Sequence, residues 1–321
     1  MIFFGPGHLL DMETDGLNRG LGYLIPKPYG KIEASINMMP LSVDQLAEMT
    51  EVLGVALELA PIICAAEIVE QNYKELRQYF VESPQSIGKM FVEGALPNLR
   101  MWPVWNVLVQ RITNFLASAN SFLALTETTI GKNYGAGSDA LAKWNEKRKE
   151  LHRQSLAYRL CYDLRNYSQH YGLPITSLEV GGTGIVGEED VVGGLRVRLS
   201  RDDLLAEGFA WKKSVVADIE AQDNDFDIEP LIDEYMGCIR EACFNAIDLQ
   251  GKRVRLCSAF LQAILNDMNL PERAVPVVFV GEPDGTKPPS NYQVLPVEDV
   301  ERIRTALARH VSAQSVPSIR R

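Results

Sequence analysis

Tyr158 to Ile175 reads YRLCYDLRNYSQHYGLPI, and the fold turns on how this stretch is read. Ala157, Leu160, Cys161, Leu164, Ser168 and Tyr171 recur at helical spacing, so the segment forms an amphipathic helix. Leu173-Pro174 stops it, because a proline ring pushes the preceding residue out of the α region. At about 100° per residue, Asn166 and His170 lie nearly above one another, opposite that stripe, with His152 and Arg159 on the same meridian further up. Arg165 falls on the flank, about 140° from His170 by the same arithmetic. One helix therefore holds this arginine and histidine loosely, and a second copy of the chain would complete the group.

Working outward, the helical pattern reaches back to about residue 139, giving one helix over 139–171. Val107, Leu108, Ile112, Phe115, Leu116, Ala119, Phe122 and Leu123 mark a long helix over 104–130, and Gly131 to Gly137 form the break between the two. Packed together, they make the centre of a helical bundle. Further upstream, Ser42 and Gln45 stand at the spacing of a capping box. Helices follow over 42–60 and 62–82, split or kinked at Pro61, with a short one from Ser83-Pro84 to Gly94. Pro97 to Pro103 reads as a connector whose Trp102, like Trp105 beyond it, anchors the core.

Downstream, Thr176–Val180 and Gly194–Leu199 read as a β-hairpin. Ser200 caps the short helix DDLLAEG, and Trp211 to Ile219 is helical. AQDNDFDIEP reads as a solvated linker, and helices follow over 230–248 and 252–268. AVPVVFVG (274–281) is a strand or an extended docking segment, and a last helix covers 297–310. The expected layout is an N-terminal arm (1–40), a helical domain (41–270) with a hairpin near 175–200, and a C-terminal extension (271–321). The expected fold class is mainly α.

Arg165-Asn166-Tyr-Ser-Gln-His170 is an arginine, a polar residue, three free positions and a histidine. With Arg111 to Leu123 before it, this part of the chain resembles the HEPN superfamily, whose signature of that form sits on a late helix. The match is good over roughly 100–178, with a weaker similarity of layout to about 270. The resemblance implies a HEPN-like helical bundle and a homodimer. Many members are metal-independent RNases of toxin or phage-defence systems, with the histidine as acid and base, the arginine on the phosphate and the polar residue positioning. Others share the shape without catalysis. Members modified on tyrosine by a partner nucleotidyltransferase carry that tyrosine two residues after the histidine. Here Gly172 occupies that place and Tyr171 adjoins His170, so such a partner is not expected.

The net charge of −10 argues against a broad nucleic-acid coat. It leaves room for a local groove, and Lys143 to Arg165 carries Lys143, Lys147, Arg148, Lys149, Arg153, Arg159 and Arg165 against Glu146, Glu150 and Asp163. His152, Lys149 and Arg159 are the expected RNA contacts beside the catalytic candidates Arg165, Asn166 and His170. The alternative is a solvated face with internal ion pairs.

The five cysteines have no C-x-x-C spacing and read as buried free thiols of a reducing cytosol. Four scattered histidines without H-E-x-x-H or H-x-D leave no metal set, and no cofactor is expected. There is no P-loop and no G-x-S-x-G. Gly182-Thr-Gly184-Ile-Val-Gly187 matches the dinucleotide pattern, but Glu188-Glu189-Asp190 follows where a phosphate needs a helix N-terminus. The acids Asp223 to Glu229 lack the loop glycine and final glutamate of a calcium hand. Val52–Val69 is the most apolar window, yet it holds Glu58, Pro61 and Glu67 and reads as buried helix, with no signal peptide before it. The expected location is the cytoplasm. The function that the resemblance implies is a HEPN-type endoribonuclease; the alternatives are a non-catalytic HEPN-like dimerisation or partner-binding protein and, outside the resemblance, a small-molecule enzyme.

Overall fold

The chain runs β1 (Arg19–Pro26), β2 (Ile32–Pro40), α1 (Val43–Val92), α2 (Pro97–Tyr134), α3 (Asp139–Gln154), α4 (Leu156–His170), β3 (Ser177–Thr183), β4 (Val192–Ser200), α5 (Arg201–Ala206), α6 (Lys213–Glu220), β5 (Asp225–Asp227), α7 (Ile228–Asp248), α8 (Gly251–Met268), β6 (Val275–Val280), β7 (Asn291–Val294) and α9 (Val297–Gln314). This is a computed structural model that describes residues 19–30, 32–92, 97–183, 192–206, 208–282, 284 and 289–314. Helix accounts for about 70 % of it, so the protein is mainly α as its periodicities require. Two units separate: residues 1–60 with 247–321, and residues 61–246.

The first unit corrects the expected layout. The supposed arm and C-terminal extension meet in one antiparallel sheet of order β2-β1-β6-β7. Leu21 lies opposite Val278 and Tyr23 opposite Pro276. The reason lies in VPVVFV, whose middle four residues are all buried. A run buried along its length cannot leave its backbone N–H and C=O groups unpaired, and β1 and β7 pair them at its two edges. Leu24, Val277 and Phe279 form its small core. Ser42 N donates to Gln45 Oε1 at 3.0 Å and Gln45 N to Ser42 Oγ at 3.2 Å, the reciprocal capping box expected from the sequence. In the same unit Arg253 of α8 reaches Glu51 at 2.6 Å and Glu58 at 2.9 Å on α1.

The expected division of α1 at Pro61 does not occur: the helix runs through both Pro61 and Pro84. Each proline removes one amide donor, yet Leu59, Ile62 and Ile63 beside Pro61 are buried, and that burial outweighs one lost hydrogen bond. By length and composition α1 holds a window apolar enough to cross a membrane, but 44 % of that window is buried inside the protein. Glu58 within the helix is also tied to Arg253. Among the described residues there is no clear membrane signature.

In the second unit, Leu108, Ile112, Phe115, Leu116, Ala119, Phe122 and Leu123 of α2 are all buried, as their spacing predicts. Trp144 of α3 meets Phe122 edge-on with centroids 6.4 Å apart, and Tyr235 of α7 meets Phe115 at 5.9 Å and Tyr158 of α4 at 5.8 Å. These rings join four helices in one core. Trp102 is not among them. The helix already begins at Pro97, which the first turn tolerates, and Trp102 is 70 % exposed. At the far end Gly135 takes φ 93°, a left-handed conformation natural to glycine, and ends α2. The acidic linker is also structured: Asp225–Asp227 pairs with β4, and α7 starts at Ile228.

Ser177–Thr183 pairs with Val192–Ser200 as the expected hairpin. The G-x-G-x-x-G stretch at its tip lies outside the described residues from 184 onward. At the base of that tip, a Cβ on Gly193 would stand 2.2 Å from the Pro84 carbonyl oxygen and 2.7 Å from the Gly88 nitrogen. Both are backbone atoms and cannot swing away. Gly193→Ala should therefore cost roughly 1–3 kcal/mol, read as a lower urea midpoint, because the hairpin must leave α1 to admit one methyl.

Candidate functional site

The helix expected over 139–171 is two helices. Ser155 stands between them at φ −115°, ψ 120°, closing α3 and capping α4. Its Oγ accepts from Tyr158 N at 3.0 Å and donates to Glu234 Oε1 at 2.5 Å. Arg159 completes the joint. Its Nη1 donates to the His152 and Arg153 carbonyls at 2.6 and 3.0 Å, covering two of the acceptors that α3 leaves open at its end. The other side of the fork grips Asp218 of α6 through Nε at 2.5 Å and Nη2 at 2.9 Å. Arg159, expected to touch RNA, is thus committed to holding the junction. A serine followed by a buried helix was the available signal; the arginine's partner, 59 residues away, was not.

The break rotates α3 relative to the straight-helix arithmetic and separates the expected site residues into two groups. His152 and Lys149 face an open pocket of about 630 Å³ together with Arg148, Arg153 and Lys212. Its wall includes Tyr158 and Tyr162, whose rings stack with centroids 6.3 Å apart and planes at 16°. Lys212, from the turn before α6, sits 4.9 Å over the Tyr162 ring and pairs with the buried Asp163 at 2.8 Å. Arg148 pairs with Glu127. Of the seven basic residues of the run, Arg148, Lys149 and Arg153 line this pocket, with Lys212 from outside the run, while Lys147, Lys149 and Arg153 form ion pairs with Glu150 and Glu146 of the same helix.

His152 is half-buried in this group. Burial first, then the positive charges of Lys212 and Arg159, hold its pKa below the usual 6.5, while Asp163 and Asp218 oppose them. Below pH 6.5 the unfolded chain takes up a proton that the folded one resists. Stability from this group is therefore complete above that pH and is lost as pH falls through the lower folded value. His152→Gln should flatten the loss of melting temperature on acidification below pH 6.5; an unchanged slope would show that His152 protonates freely in the fold.

Arg165, Asn166 and His170 lie on the other half of α4. His170 is the last residue of the helix and is exposed. From Tyr162 to His170 the axis advances about 12 Å at 1.5 Å per residue. Arg165 is half-buried, and its Nη1 donates to Asn166 Oδ1 at 2.9 Å. Its Nε is buried and has no partner among the described residues. Beyond the helix, Tyr171 and Gly172 both donate their amides to the Tyr167 carbonyl, at 2.9 and 3.3 Å. Tyr167 itself stacks on Trp211 at 5.3 Å, so the end of α4 carrying His170 is anchored in an aromatic cluster with Phe209.

Among the described residues, no three His, Cys, Asp or Glu side chains gather in a way that would hold a metal ion. Burial raises the Cys161 thiol and pushes Cys243 up to about 12, so neither is a ready nucleophile. Cys64, expected to be buried, is exposed. No protein-family model matches this sequence, no curated protein matches it, and no solved structure matches it.

Proposed function

We propose that the protein is a metal-independent endoribonuclease of HEPN type, a cytoplasmic homodimer serving a toxin or phage-defence role. The observation that carries this reading is that His170 is exposed at the end of α4 and that Arg165, half-buried on the same helix, is held by Asn166 Oδ1 through Nη1. Neither side chain is consumed by the core. RNA carries its own nucleophile, the 2′-hydroxyl. Cleavage needs a group that takes and returns a proton near neutral pH, and a cation for the charge that develops on phosphorus. His170 supplies the first. Arg165 supplies the second as a planar fork that matches phosphate oxygens, and Asn166 orients it through the 2.9 Å hydrogen bond. Arg165 and His170 diverge by about 140° around one helix, so each site combines the arginine of one protomer with the histidine of the other.

Mixing two inactive variants tests that composite. In a mixed dimer of Arg165→Ala and His170→Ala, one of the two sites is intact. Co-refolded protein should recover about a quarter of wild-type activity, with half of the dimers mixed and half of their sites whole. No recovery, or a monomer in sedimentation at micromolar concentration, would refute the shared site.

A second reading is a non-catalytic HEPN-like dimerisation or partner-binding protein. What favours it is that Arg165 turns one nitrogen toward its own neighbour Asn166. Under that reading neither variant changes any RNA-directed activity.

A further inference from the structure

Four aromatic rings close the end of α4, and the cleavage chemistry uses none of them. Tyr167 and Trp211 are buried and stack with centroids 5.3 Å apart and planes at 20°. The indole of Trp211 is fixed in turn, its Nε1 donating to the Leu204 carbonyl at 2.9 Å. Phe209 stands edge-on to both, 4.6 Å from Trp211 and 5.6 Å from Tyr167. Tyr171 meets Phe209 at 5.0 Å with the planes at 77°. Three of these rings serve the core. Tyr171 is the outermost and is 54 % exposed.

Exposure alone would say little, but this ring is also held. The Tyr171 amide is tied to the Tyr167 carbonyl at 2.9 Å, and Phe209, braced by two buried rings, limits how the side chain can turn. A ring already fixed in place loses little rotamer freedom when a second flat group stacks on it. Its position along the chain gives that group a meaning. Tyr171 follows His170 directly, so their Cα atoms are about 3.8 Å apart and both side chains rise from the same end of α4. In an RNA strand the base lies one ribose away from the 2′-hydroxyl and the phosphate that react. Unpaired bases are held by stacking on aromatic side chains, which every base can do because each has a flat face.

We infer that Tyr171 sets the base preference of the cleavage site: a base flanking the scissile phosphate lies on its ring, and Phe209 braces that ring. The inference rests on the cleavage reading and adds to it a choice of sequence at the cut. A purine is favoured over a pyrimidine, because the larger base covers more of the ring.

Fluorescence anisotropy and steady-state cleavage on the full chain test it. Short 2′-O-methyl oligoadenylate and oligouridylate report binding without cleavage, and the unmodified strands report kcat and KM. Wild type should bind oligoadenylate more tightly than oligouridylate. Tyr171→Ala should weaken oligoadenylate binding by about five- to hundredfold, the effect of one base–aromatic stack, and raise KM by the same factor with kcat kept. Tyr171→Phe should stay within about twofold of wild type, because the ring face remains. Tyr171→Leu keeps an apolar side chain against Phe209 but offers no ring, so it should bind as weakly as Tyr171→Ala at an unchanged melting temperature. A purely structural role would spare Tyr171→Leu, and a role in the contact between protomers would make Tyr171→Ala a monomer in sedimentation; either result overturns the inference. Equal affinity of wild type for the two strands, or a wild-type KM in Tyr171→Ala, also overturns it and leaves the nuclease reading intact. Absence of cleavage by wild type removes the nuclease reading and the base preference with it.

Discussion

His170→Ala should lower RNA cleavage by about 10²–10⁴-fold, the range that a positioned acid–base group contributes. The residue is exposed at the last position of α4, so removing its ring opens no cavity and should leave the melting temperature unchanged. That separates lost chemistry from lost fold. Arg165→Lys keeps the charge but removes the planar fork and the donor held on Asn166, and should also be severely impaired. DNA should not be cut by any form, since it lacks the 2′-hydroxyl. Products from RNA should end in 2′,3′-cyclic phosphates, the mark of attack from within the strand. Ends bearing a 3′-hydroxyl would mean that water is the nucleophile and that these residues play other roles.

Arg159→Ala should cost about 3 kcal/mol, at the low end of what breaking a buried ion pair costs. Arg159 and Asp218 are 15 % and 18 % exposed, so water compensates only part of the loss. The change removes both fork bonds to Asp218 and uncovers the His152 and Arg153 carbonyls. Urea unfolding should show a lower midpoint, and a cycle with Asp218→Ala should show strong coupling between the two. Arg159→Lys should not rescue, because an ammonium cannot span Asp218 and two carbonyls at once. A stable Arg159→Ala protein with weakened RNA binding would instead return this arginine to the RNA-contacting role that its sequence position suggests.

Local signals carried most of the fold. The 3.6-residue periodicity of Leu108 to Leu123 yields the buried face of α2, and Ser42 with Gln45 yields the start of α1, because each rests on residues a few positions apart. The β3–β4 hairpin was legible for the same reason. Pairing across the whole chain was not. Nothing local in Arg19–Pro26 says that it lies against Val275–Val280, so local patterns alone describe the two ends as an arm and an extension. The break at Ser155 is hidden in the sequence because α3 and α4 are each helical and their apolar stripes run on across it. A single serine whose hydroxyl caps the next turn changes direction without changing periodicity.

The site divides along the same line. The basic run from Lys143 to Arg165 pointed to Lys149 and His152, which do face one pocket. Lys212 completes that pocket from a distant turn, and Asp218 withdraws Arg159 from it. Both effects depend on α6 packing against α4. Arg165, Asn166 and His170 could be placed on one helix from spacing alone. What spacing could not tell is that Arg165 turns to Asn166 while His170 ends the helix in the open.

The proposed function requires RNA cleavage without a metal ion, through His170. The most direct measurement incubates purified wild-type and His170→Ala protein with total cellular RNA, each with and without EDTA. Wild-type protein should cleave equally in both conditions while His170→Ala leaves the RNA intact. Equal cleavage by the two proteins, cleavage abolished by EDTA, or none by the wild type would contradict the account.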